Sequence, residues 1–136
     1  MNYQINMMRI GAFAGFLCVS IGAFGAHGLE AILMENKRIS TWETGVFYHC
    51  FHSLALIVTA WTENRKVAKW LTIFWGSGIL IFSGSLYILS LTNIGIFGAI
   101  TPIGGILFLS GWVCLMVNAN KLKNSARSSE SDLAGS

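Results

Sequence analysis

Read along the chain, polar and charged residues fall into short clusters that separate four long uncharged stretches, beginning near Ile10, Gly45, Trp70 and Phe97. Each is close to the ~20 residues a helix needs to cross ~30 Å of hydrocarbon at ~1.5 Å per residue. None alternates apolar and polar residues with the period of two that a barrel strand requires, and a backbone in lipid must satisfy its own hydrogen bonds. Helices are therefore the consistent reading. The pattern predicts an all-α integral membrane four-helix bundle, with helices about 10–29, 41–62, 70–92 and 101–119. Residues 1–120 form one transmembrane domain in this reading, and 121–136, Ser-rich and polar, a disordered tail.

Composition agrees. Of 136 residues, 54% are hydrophobic and 11% charged, against about 25% charged in a typical soluble domain. Nine Lys and Arg face six Asp and Glu, and their placement reads as topology. With four spans, one side receives Arg9, Arg65, Lys66, Lys69, Lys121, Lys123 and Arg127, the other only Lys37 and Arg38. The positive-inside rule then puts both termini in the cytoplasm of a multi-pass protein of the bacterial cytoplasmic membrane. The first stretch, preceded by Arg9, is longer than the h-region of a signal peptide and is expected to be retained.

Small residues set the expected packing. Gly11, Gly15, Cys18, Gly22 and Gly25 recur at spacings of four and three, forming a groove along one face of the first helix. Similar stripes run through Gly76, Leu80, Ser83, Tyr87 and Ser90 on the third and through Gly104, Leu107, Gly111 and Cys114 on the fourth. Close approach along such stripes is what holds helices together in lipid. Ser40 and Glu43 have the spacing of a capping box opening the second helix. Pro102 suits the first position of the fourth. Cys18, Cys50 and Cys114 are odd in number and lack framework spacing, so they are expected as small apolar residues, with no disulfide scaffold.

Candidate chemistry gathers on the outer side, where polar groups at membrane depth raise the possibility of a site. The candidate ligand-binding set is His27, Trp42, Glu43, Tyr48, His52, Ser83, Tyr87 and Thr101, with His49 and Asn93 nearby. His27, His49 and His52 could present imidazoles to a metal or haem. No Cys or carboxylate stands in register with them, however, and His27 lies about 160° around its helix from the glycine groove. The favoured reading is that the histidines hydrogen-bond across the bundle, with no metal bound. Trp42, Tyr48 and Tyr87 fit either a slot for a quinone or lipid headgroup or an interfacial aromatic belt. A proton relay of Glu30 and Glu43 with the histidines is disfavoured, because Glu43 is engaged by its cap. No phosphate loop, nucleophile elbow, Cys-x-x-Cys or His-Glu-x-x-His occurs, so neither enzymatic activity nor a cofactor is expected. The expected partner is the lipid bilayer, with a homo-oligomer or larger membrane complex as further possibilities and nucleic acid excluded.

Four segments carry a resemblance: Gly22-Ala-Phe-Gly-Ala-His-Gly-Leu29, Trp42-Glu-Thr44 leading to Tyr48-His-x-x-His52-x-Leu-Ala-Leu56, Phe82-Ser-Gly-Ser-Leu-Tyr87, and Gly98-Ala-Ile-Thr-Pro-Ile-Gly-Gly105. Together, over about Met8 to Val117, they resemble a family of small bacterial membrane proteins known as domain of unknown function 423, itself similar to a small mitochondrial transmembrane protein of animals. The resemblance implies a four-span plasma-membrane protein and brings no activity with it. His27, Trp42, Glu43, Tyr48, His52, Ser83, Ser85, Tyr87, Thr101 and Pro102 fall on positions matching the family pattern, whereas the His49 position resembles one where glutamine also occurs.

Overall fold

The computed structural model describes residues 2–134, with side chains described for 3–119. Its helices are α1 (Asn2–Ala26), α2 (Glu30–Glu35), α3 (Ile39–Thr59), α4 (Arg65–Gly78), a π-helical turn (Ile79–Ser83), α5 (Gly84–Thr92) and α6 (Ile96–Ala134). Among the described residues, three continuous helical segments are long and apolar enough to cross a membrane: Tyr3–Ala26, Arg65–Thr92 and Ile96–Ala119. At 21 residues α3 is shorter than these but still spans about 31 Å at ~1.5 Å per residue, and Glu43, His49 and His52 dilute its apolarity. The polar tail read at 121–136 lies outside the residues whose side chains are described.

Two antiparallel pairs build the bundle. In the first, the glycine groove of α1 receives α3 as its spacing predicts. A Cβ on Gly11 would meet Ile57 at 2.8 Å, one on Gly22 would meet Val46 at 3.3 Å, and one on Gly25 would press into the Trp42 indole. Midway along this seam the structure corrects the expectation for the cysteines: Cys18 and Cys50 form a disulfide, with Cα atoms 5.6 Å apart. An odd number of cysteines leaves room for one pair. The straight seam brings these two opposite each other, leaving Cys114 free.

The second pair sets α4 and α5 against α6. Gly104 lies on the Phe82 backbone, Gly111 on the Trp75 indole and Gly78 on the Phe108 ring, while the Ser85 and Thr101 hydroxyls are 2.8 Å apart. The stripe expected on the third helix does not run through. Leu80 is 77% exposed and Gly76 faces open space, whereas Ser83 and Ser90 are fully buried. The reason is the π turn, in which the Gly84 N–H bonds to Ile79 O five residues back. Its extra residue rotates α5 by about 100° relative to a continuous α-helix.

Two further expectations change at helix starts. Helix α3 begins at Ile39 with Arg38 as N-cap and no side-chain cap bond, so the Ser40–Glu43 capping box does not form. The Ser40 carbonyl instead accepts from the Thr44 hydroxyl at 2.8 Å. Lys37 at φ 55° supplies a left-handed step that turns α2 directly into α3. Likewise α6 begins at Ile96, so Pro102 lies inside the helix and not at its first position. Asn93, at φ 54°, closes α5 and keeps that turn tight. The third span also starts earlier than its apolar run, because the Asn64 side chain caps α4 by accepting from the backbone N–H of Lys66 and Val67.

The two pairs join through α3 against α5 and the π turn, and through α1 against α4. At the latter contact lies the apolar core of Met7, Leu56, Ala60, Val67, Leu71 and Trp75, with Phe108 reaching in from α6. Helices α3 and α6 do not pack along their lengths, which leaves a fissure between them.

Candidate functional site

The fissure between α3 and α6 is a cavity of about 590 Å³ lined by Phe47, Tyr48, Phe51, His52, Phe82, Phe108 and Trp112, with Pro102, Gly105, Ile106 and Leu109 along α6. Its floor is an aromatic stack. The His52 imidazole lies on the Phe108 ring at a centroid distance of 3.6 Å and an interplanar angle of 4°, and Tyr48 packs on Phe82 at 4.8 Å. A tilted pair such as Tyr48–Phe82 adds about 0.5–1.5 kcal/mol beyond burial.

Both nitrogens of His52, which is 2% exposed, are engaged. Trp112 Nε1–H donates to Nε2 at 3.2 Å, and Nδ1 lies 2.9 Å from the Tyr48 carbonyl. An indole N–H can only donate and a carbonyl can only accept, so the ring is the neutral Nδ1–H tautomer. Such a ring has no lone pair left for a metal. Among the described residues no three His, Cys, Asp or Glu side chains converge as metal ligands do.

The other expected site residues go to separate places. Trp42 and Tyr87 pack at 4.8 Å, and the Tyr87 hydroxyl lies 3.1 Å from His49 Nδ1, making a polar contact inside the bundle. Around it, Trp42 Nε1, His49 Nε2 and Ser83 Oγ are buried without partners. Thr101 is tied to Ser85. His27 is exposed in the turn after α1, apart from the other two histidines. Glu43, free of the cap, lines a second cavity of about 580 Å³ together with Glu30, Trp42 and Cys50. Asn93 accepts from Arg38 Nε at 3.0 Å, and Asn36 Nδ2 donates to the Ser90 and Leu91 carbonyls, anchoring the α2–α3 turn to the end of α5.

Thus the expected set divides. Tyr48 and His52 share the fissure; Trp42, Ser83 and Tyr87 lie in the bundle interior; Glu43, His27 and Thr101 stand apart. Sequence reading missed Phe82, Phe108 and Trp112. A signal existed for two of them, since Phe108 and Trp112 are four apart on the fourth helix and so share a face.

Comparison with known proteins finds relatives named as membrane proteins. A family profile described as "Protein of unknown function (DUF423)" matches residues 21–105. The chain is 45% identical over 119 residues to UPF0382 membrane protein YwdK of Bacillus subtilis (strain 168), covering 82% of this chain and 94% of the relative. It is 47% identical over 118 residues to UPF0382 membrane protein SSP2132 of Staphylococcus saprophyticus, covering 83% and 95%. With UPF0382 inner membrane protein YgdD of Escherichia coli (strain K12) identity is 37% over 127 residues, covering 91% and 96%. No solved structure matches the chain. The chain belongs to the DUF423 family and is, by its apolar helices and its relatives, a multi-pass membrane protein.

Proposed function

We propose that this protein is a four-span protein of the bacterial cytoplasmic membrane, with both termini in the cytoplasm and no catalytic activity of its own, that holds the hydrocarbon part of a membrane lipid in the α3–α6 fissure. The observation that carries the reading is the fissure itself. It is an open cavity of about 590 Å³ on an aromatic floor, bounded by residues that are largely apolar. Phe47, Phe51, Ile106 and Leu109, at its mouth, are all exposed. In a membrane such residues face acyl chains, so the occupant is drawn from the bilayer and needs no aqueous path. The seven-to-two bias of Lys and Arg supports the orientation, and the name of the E. coli relative supports the cytoplasmic membrane.

The test is native mass spectrometry of gently extracted protein, wild type against Gly105→Leu. A Cβ at Gly105 meets nothing closer than Phe82 at 3.9 Å, and the position lines the cavity, so leucine there is aimed at the space the lipid would take. A lipid mass that stays with the wild-type protein and is lost from the variant is the expected result. Equal retention by both proteins, or none by either, would remove the reading.

A further inference from the structure

The disulfide between α1 and α3 has one sealed and one accessible end. Cys18 is fully buried, whereas Cys50 is half-buried and lines the cavity of about 580 Å³ between α1, α2 and α3. Ile39 at the start of α3 lines the same cavity, and Cys50 lies about 16 Å further along the helix at ~1.5 Å per residue. The cavity thus extends along α3 from its start to the turn that carries Cys50. Gly22, Gly25 and Ala26 leave its α1 wall without bulk, and Glu30 and Glu43, both exposed, are its charged lining residues. Lys37 and Arg38 sit at the same end of the bundle but do not line it, and Arg38 is turned to Asn93.

We propose that Cys18–Cys50 is a thiol–disulfide exchange site, reached through this cavity by small neutral or cationic thiols that attack Cys50 Sγ. Exchange needs a thiolate to reach a sulfur directly, and of the two cysteines Cys50 is the one that borders the cavity. The two carboxylates disfavour anionic thiols and concentrate cationic ones. In the first step the incoming thiolate bonds to Cys50 Sγ, the Cys18–Cys50 bond breaks, and Cys18 leaves as a thiolate that takes up, through the cavity beside Cys50, the proton the incoming thiol gave up. A second thiolate then attacks the incoming sulfur of the mixed disulfide. Cys50 leaves as thiolate, and the two thiols depart joined, having delivered two electrons to the protein. The reverse sequence, with a small disulfide as oxidant, closes the bond again.

A purely structural disulfide, reached only when the helices separate, would react at a rate indifferent to the charge of the thiol. The experiment therefore compares cysteamine with 2-mercaptoethanesulfonate at equal thiolate concentration. It uses the full chain carrying Cys114→Ser in uncharged nanodiscs, with new thiols counted by maleimide mass shift. Cysteamine is expected to react several-fold faster. Combining Glu30→Gln with Glu43→Gln should abolish that preference, and the first adduct should map to Cys50. Equal rates for the two thiols, a preference that survives the double variant, or an adduct on Cys18 would each overturn the proposal.

Discussion

Replacing Gly104 with alanine tests how the α4–α5/α6 pair is held. The added Cβ would lie 2.6 Å from Phe82 Cβ and 2.7 Å from its Cα, where ordinary contact begins near 3.4 Å. The obstacle is backbone, so no rotamer change relieves it and α6 must withdraw by nearly an ångström. A radial gap of about 0.5–1 Å forfeits a quarter to a half of each dispersion contact it opens. The same shift stretches the Ser85–Thr101 contact one turn away, now 2.8 Å. Overpacking of this kind costs about 1–3 kcal/mol. Gly105→Ala is the internal control: it brings the same gain in helix preference, about 0.5–1 kcal/mol, while its Cβ meets Phe82 only at 3.9 Å. Reversible unfolding in mixed micelles of dodecylmaltoside and SDS, followed by tryptophan fluorescence, should place Gly104→Ala below Gly105→Ala by about 1–3 kcal/mol. If the two variants unfold together, close packing at this glycine is not what holds α6.

Other contacts supply further tests. Reducing the Cys18–Cys50 bond, which closes a separation of 32 residues, should lower the SDS midpoint. The chain-entropy limit is about 3–4 kcal/mol, and the measured loss should fall short of it because helices persist in the denatured micellar state. A double-mutant cycle of His52→Phe and Trp112→Phe should give a coupling of about 0.6 kcal/mol, the average for polar contacts between membrane helices. Nitrogen-15 spectra of His52 should show the neutral Nδ1–H tautomer, and a spectrum of the Nε2–H form would contradict the assigned bonds. Gly25→Ala, whose Cβ would enter the buried Trp42 indole, should destabilise the protein, whereas Gly76→Ala, facing nothing within 4 Å, should not. Thermal melts in detergent compare the two.

Much was legible in the sequence because a bilayer allows few solutions. Long uncharged runs must be helices, and their lengths place them to within a turn or two. The groove of Gly11, Gly15, Cys18, Gly22 and Gly25 disclosed its partner face by spacing alone, since only small residues let backbones approach where water supplies no apolar drive between helices. The reading of His52 as a histidine that hydrogen-bonds across the bundle rested on the lack of further ligands in register, and its bond from Trp112 on α6 is of that kind. What the chain order did not contain was which faces meet. Nothing local marks the π turn, yet it rotates Leu80 outward and Ser83 inward and so decides which third-helix residues touch α3 and which touch α6. The Cys18–Cys50 bond depends on α1 and α3 running antiparallel in one register, and the fissure on α6 packing its backbone against α4 and α5 while Phe108 and Trp112 reach α3 by their side chains. Each is a relation between distant segments fixed by side-chain fit over the whole bundle, so it existed only once the helices were assembled.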